Sequence, residues 1–101
     1  MTQPDDLLVI SSDGGRLTVS GEIDAHTAPS LAAAIDAAGP DVTIDLSGVE
    51  FIDSSGLRVL IDAHQRLADG GGGLTIAAPS EAVTRLFEIS GVDDYLTIDR
   101  T

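Results

Sequence analysis

Asp45-Leu46-Ser47-Gly48-Val49-Glu50-Phe51-Ile52-Asp53-Ser54-Ser55-Gly56-Leu57 is the stretch on which the fold turns. Up to Leu46 the residues from Val42 alternate apolar and polar, the period of two of a half-buried strand. Beyond Asp53 the period changes. Leu57, Leu60, Ile61, His64, Leu67 and Ala68 fall on one helical face, so a helix is expected from about Ser54 to Ala68. Strand, connecting loop and helix in that order make one half of a β-α-β unit, which points to an α/β architecture.

The same reading extends outward in both directions. Leu7 to Ile10 and Arg16 to Ser20 read as two strands joined by Ser11-Ser12-Asp13-Gly14-Gly15, an antiparallel hairpin. Gly21-Glu22-Ile23-Asp24 then runs into a loop. Thr27 is placed to cap a helix with Pro29 in its first turn. Ala28, Leu31, Ile35 and Ala38 share its inner face, and Gly39-Pro40 ends it. Gly70 to Gly73 stop the central helix, and Leu74 to Ala77 form a fourth strand. No Lys-Ser or Lys-Thr pair follows the glycines, so they do not read as a phosphate-cradling loop. Pro79-Ser80 opens a helix carrying Val83, Leu86, Phe87 and Ser90, which Gly91 closes. After a turn at Asp93-Asp94, Tyr95 to Ile98 make a short last strand. The expected fold is one domain over residues 1–101, a mixed four- to five-stranded sheet with helices packed on it by right-handed crossovers.

Composition narrows the function. Hydrophobic residues make up 43% of the 101, enough for a core, which must be aliphatic with two Phe, one Tyr and no Trp. So few aromatics leave little surface on which to stack bases or sugars. Seventeen acidic residues against five basic ones give a formal net charge of −12, which argues against nucleic acid or an anionic membrane as partner. A basic protein surface is the more natural one, and solubility alone accounts for the acidity equally well. With no cysteine there is no disulfide, thiolate nucleophile or thiolate metal site. Neither a signal-peptide pattern nor an apolar run of about 18 residues is present, so the cytoplasm is the expected compartment.

The chemistry gathers at the start of the central helix. Unpaired backbone N–H groups and the positive end of the helix dipole meet there, and such a place accepts negative charge, including a phosphate on serine. Spacing alone favours plain structure: Asp53 or Ser54 as N-cap, Ser55 in the first turn, Gly56 allowing close packing. A serine hydrolase built from Ser54 or Ser55 with His26 or His64 and an aspartate lacks the Gly-x-Ser-x-Gly elbow, and His64 sits on the apolar face of its helix as a packed core residue. Asp24 with His26, or Asp93 with Asp94, lacks a third ligand at useful spacing for a metal. No cofactor is called for.

Phe51-Ile52-Asp53-Ser54-Ser55-Gly56-Leu57, preceded by Asp45-Leu46-Ser47-Gly48-Val49, resembles the signature of the STAS domain family, and within it the stand-alone bacterial anti-anti-sigma factors. Gly21-Glu22-Ile23-Asp24 is similar to the family's second motif, and Leu86-Phe87-Glu88-Ile89-Ser90-Gly91-Val92 to its C-terminal helix and turn. The resemblance implies a non-enzymatic partner switch. The unphosphorylated chain binds an anti-sigma factor that is also a serine kinase and frees a sigma factor; phosphorylation of Ser54 ends that binding, and a serine phosphatase restores it. It also implies supporting roles for Asp24 and Asp53. Ser55, Gly56, Leu57 and Arg58, beside the acceptor, are candidates for the contact surface, with Leu57 better suited to the core. Arg58 departs from the small residue often found at its position, and is placed to adjust the binding surface or to pair with the phosphate. A STAS subunit of another regulatory or lipid-transport assembly is the alternative that the same motifs allow.

Overall fold

A computed structural model describes residues 8–99. The expected β-β-α-β-α-β-α-β order is present, and the sheet has five strands in the order β1-β2-β3-β4-β5. β1 (Leu8–Asp13) and β2 (Arg16–Ile23) form the hairpin, while β3 (Asp41–Ile52), β4 (Gly73–Ala77) and β5 (Thr97–Asp99) follow in parallel. Each parallel step is made by one helix: α1 (Ala28–Ala37), α2 (Ser54–Asp69) and α3 (Glu81–Ser90). Leu7, expected to open the first strand, lies outside the described residues.

Alternation fixes which face is buried. Leu17 and Val19 of β2, Val42, Ile44 and Leu46 of β3, and Leu74 and Ile76 of β4 are buried in one cluster with Leu31 and Ile35 of α1, Leu60 and Ala63 of α2, and Val83 and Phe87 of α3. Their neighbours Thr18, Thr43, Asp45 and Thr75 face the other way and keep contact with solvent. There Arg16 reaches Asp45 at 3.2 Å, across the β2–β3 ladder. Below the sheet α1 and α2 lie against each other and are tied at the surface by Asp36 and Arg66. No described helix is long and apolar enough to cross a membrane.

Several boundaries differ from the sequence reading, and the differences matter for the site. The second strand does not stop at Ser20, nor the third at Leu46. Both run on, to Ile23 and Ile52, with Ser20 opposite Gly48, Gly21 opposite Val49 and Ile23 opposite Ile52. Pairing with β4 ends at Asp45–Ala77 and pairing with β1 at Gly21, so Glu22–Ile23 and Phe51–Ile52 continue as a two-stranded ribbon beyond the rest of the sheet. α3 packs beside that extension of β3.

Glycines stand where the extended strands shift register or approach each other closely. Gly21 takes φ +105°, between two register shifts that mark bulges. At Gly48 a Cβ would come 2.7 Å from the Cβ of Ser20. At the other end Tyr95 is not in the last strand; it follows a single 3₁₀ turn, Val92–Asp94, and β5 starts at Thr97.

Candidate functional site

The two extended strands end side by side. Ile23 pairs with Ile52, and the N–H of Asp53 donates to the Ile23 carbonyl at 3.1 Å, which closes the ladder. The segments that leave these strand ends are therefore neighbours: the turn 24–27 leading into α1, and the junction at Asp53 leading into α2. Carboxyl ends of adjacent parallel strands are where α/β sheets commonly present their functional groups. The expected loop before α2 does not exist; a strand delivers Asp53 directly.

Asp53 is the N-cap of α2. Its backbone is extended, and its carboxylate accepts from the N–H groups of Ser55 at 2.8 Å and Gly56 at 3.3 Å. That resolves the alternative left open between Asp53 and Ser54. Ser54 is the first helical residue, exposed, and its hydroxyl has no partner among the described residues. Gly56 is buried beneath it, and a Cβ there would meet Ile23 Cγ2 at 2.4 Å and Ile52 Cγ1 at 3.0 Å. The first turn of α2 thus rests directly on the ends of β2 and β3.

Asp24 organises the other turn. Its carboxylate accepts from the backbone N–H groups of His26 at 2.9 Å and Thr27 at 3.0 Å. The Thr27 bond is the main reason its pKa is lowered; burial acts in the opposite sense, and the His26 amide adds to the lowering. Thr27, expected to cap α1 through its side chain, does not. Its buried hydroxyl turns back to donate to the Glu22 carbonyl at 2.9 Å and accepts from the Asp24 N–H at 2.9 Å. Asp24 and Thr27 lock each other, and the turn is held to the end of β2.

Ser54, Ser55, Leu57, Arg58, Ile61 and Asp62 line an open groove of about 470 Å³ along α2. Ile61 was expected on the core face; it is only half-buried, at the groove wall. Asp62 escaped the sequence reading, although its signal was present: residues 54, 58, 61 and 62 form a stripe at helical spacing. Asp53 adjoins the groove at Ser54, and Asp24 is not among its lining residues. Phe51, 48% exposed, stands two residues before Asp53 on the ribbon.

The histidines take no part. His26 is exposed, and His64 is half-buried rather than fully packed, its ring edge-on to Tyr95 at 5.0 Å with Nδ1 unpartnered. Neither imidazole bonds to a serine among the described residues, so the hydrolase arrangement is not assembled. Nor do three or more His, Cys, Asp or Glu side chains among the described residues converge as a metal site.

Fold and site together define a small α/β module that holds an unpartnered serine hydroxyl outward on the first turn of a capped helix. Comparison with known proteins gives that module its family. The model described as "Mlab, STAS domain" matches residues 8–98, and the chain belongs to the STAS domain family. It is 38% identical over 84 residues to the anti-sigma-B factor antagonist of Listeria monocytogenes, spanning 79% of this chain and 74% of that one. The Bacillus subtilis protein of the same name is 34% identical over 86 residues, 82% of this chain and 79% of the relative. Among solved structures, an anti-sigma factor antagonist from Mycobacterium paratuberculosis superposes with a TM-score of 0.78 at 33% identity, covering 100% of this chain and 92% of the other.

Proposed function

We propose that this protein is an anti-sigma factor antagonist switched by phosphorylation of Ser54. Unphosphorylated, it binds an anti-sigma factor with serine kinase activity and so frees a sigma factor. The kinase then forms a bond from Ser54 Oγ to the γ-phosphorus of ATP as the bond to ADP breaks, and a base on the kinase takes the hydroxyl proton. The phosphorylated form leaves the complex, and a serine phosphatase regenerates it by hydrolysis. In this scheme the chain is substrate and binding partner; no catalytic step belongs to it, and neither nucleic acid nor membrane is its ligand.

The observation that carries this reading is the exposed, unpartnered Ser54 hydroxyl on the first turn of α2. Asp53 already caps that turn, so Ser54 is free to be modified without uncapping the helix. A phosphoserine adds about −1.5 to −2 charge at neutral pH, and a helix start tolerates it. The modification therefore acts at the interface, by bulk and charge against a partner surface, and leaves the fold intact. About 1.4 kcal/mol is tenfold in affinity, so one misplaced phosphate is enough to end a tight complex. Arg58 and Ser55 contribute to the contact surface, and Leu57 is a buried core residue that reaches the groove only at its floor. Gly56 seats the first turn beneath that surface, and Asp24 and Asp53 hold its shape.

Pull-down with an anti-sigma kinase, with and without ATP, tests the reading. Binding should be lost on adding ATP, with mass spectrometry finding one phosphate on Ser54 and none on Ser54→Ala. Phosphate at Ser55 alone would refute the site. The description of the matched family model supports a second reading, a STAS subunit of another regulatory or lipid-transport assembly. That reading requires association indifferent to ATP.

A further inference from the structure

The groove holds one cation whose pairing sets it apart from the other described arginines. Three of the four described arginines have carboxylate partners: Arg16 with Asp45 at 3.2 Å, Arg66 with Asp36, and Arg85 with Glu81 at 4.0 Å. Arg58 alone has none, and it makes no hydrogen bond among the described residues. With 17 acidic residues to five basic ones, carboxylates are in large excess, so an unpaired guanidinium stands out. Arg58 is exposed, lies four residues after Ser54 on α2, and lines the same groove.

Side chains four apart on a helix lie over one another, about 5–6 Å between Cβ atoms. The acid-before-base order along the chain is the favourable one at this spacing. A guanidinium presents a planar fork that matches two phosphate oxygens. We infer that Arg58 is an internal clamp for the phosphate on Ser54. In the unmodified protein Arg58 is a free cation on the partner-facing groove, with Asp62 one turn further along. Phosphorylation draws it back onto the phosphate. The modification then does two things at once: it adds a dianion at Ser54 and withdraws from the groove the one cation a partner's acidic group could have met.

This inference rests on Ser54 being the acceptor, but its test does not depend on finding the kinase. Phosphoserine installed at position 54 by site-directed incorporation gives the full chain in its modified form. Phosphorus NMR then follows the second ionisation of the phosphate with pH, in the otherwise unaltered chain and in Arg58→Gln. A neighbouring guanidinium favours the dianion, so the apparent pKa should rise by about 0.5 unit in Arg58→Gln. The difference should shrink toward zero in about 1 M salt, where the screening length falls to ~3 Å. Arg58→Lys, which keeps the charge and loses the fork, should fall between the two. Equal pKa values in Arg58→Gln and the unaltered chain would overturn the clamp and leave Ser54 as acceptor untouched. Failure of a cognate kinase to phosphorylate Ser54 would instead overturn the proposed function while the phosphate titration still reports on Arg58.

Discussion

Gly56→Ala is the sharpest perturbation available, because it adds one methyl group to a place where the structure leaves no room for one. The new Cβ would lie 2.4 Å from Ile23 Cγ2, 3.2 Å from Ile23 Cβ and 3.0 Å from Ile52 Cγ1. Carbon atoms rest at about 3.5–4.0 Å, so the closest contact must open by roughly 1.1 Å. Neither isoleucine can easily give way: Ile23 is 0% and Ile52 7% exposed, and the two are paired across the last rung of the β2–β3 ladder. Overpacking of this kind costs about 1–3 kcal/mol, and the better helix propensity of alanine returns at most about 1 kcal/mol. The net loss should be about 1–2 kcal/mol, a drop in Tm of roughly 5–12 °C for a domain of this size. Thermal melts followed by circular dichroism measure it, with Gly73→Ala as control. At Gly73 a Cβ meets nothing within 4 Å and φ is not positive, so that variant should stay within about 0.5 kcal/mol of the parent. A Gly56→Ala melt at or above the parent's would refute the close-packed seat. The function should follow. The first turn can relieve the contact only by lifting, which lengthens the Asp53 bonds to the Ser55 and Gly56 amides and moves Ser54. Phosphorylation at 10 °C, where both proteins are folded, should therefore be slower in Gly56→Ala.

Three further outcomes follow from the same geometry. Asp53→Ala loses the cap and should destabilise by about 1 kcal/mol in urea titrations, whereas Asp53→Asn keeps an equivalent acceptor and should lose only a few tenths. If Asp53 acts solely as a cap, Asp53→Asn should also be phosphorylated at near the parent rate, and a large drop would assign its charge to the transfer itself. Ser54→Asp places a negative charge on the first turn of α2 and should raise stability by about 0.3–1 kcal/mol at low salt; a loosened domain in hydrogen exchange would contradict a switch confined to the interface. Asp24 has a pKa depressed by its bonds to the Thr27 and His26 amides, so its ionised form is favoured by folding. That stabilisation is complete above the ordinary value of 3.8 and is lost as pH falls through the depressed one. The urea midpoint of Asp24→Asn should lie below the parent's at pH 7, and the gap should close below pH 3.8.

How much of this was legible in the sequence depended on how far apart the interacting residues are. The start of α2 was legible, since Asp53, Ser54, Ser55 and Gly56 sit together before an amphipathic run and their bonds reach only two or three residues. The turn before α1 was half legible. A threonine before Ala-Pro reads as a cap, but here Asp24 supplies the acceptor for the turn, and that choice between two short polar side chains is settled by the buried end of β2. The strand ends were not legible. Gly21 and Gly48 carry the composition of breakers, and only their pairing with Val49 and Ser20 places them in a continuing ladder, beside its register shifts. The isolation of Arg58 was equally hidden, because two of the three pairings that single it out bridge 29 and 30 residues.

The strand ends that the sequence concealed act together with the legible cap to fix the site. A serine on a free loop could be regulated by ordering or disordering that loop, and phosphorylation would then be read as a change of shape. Ser54 is held otherwise. The ribbon brings its backbone to the spot through the Asp53–Ile23 bond, Asp53 fixes the first turn, and Gly56 presses that turn onto Ile23 and Ile52. The side chains left free to respond are those of the groove, and among its charged groups only Arg58 and Asp62 carry charge before modification. A switch built on this seat must therefore work by redistributing charge on a fixed surface, and the guanidinium one turn from the acceptor is the part that can move.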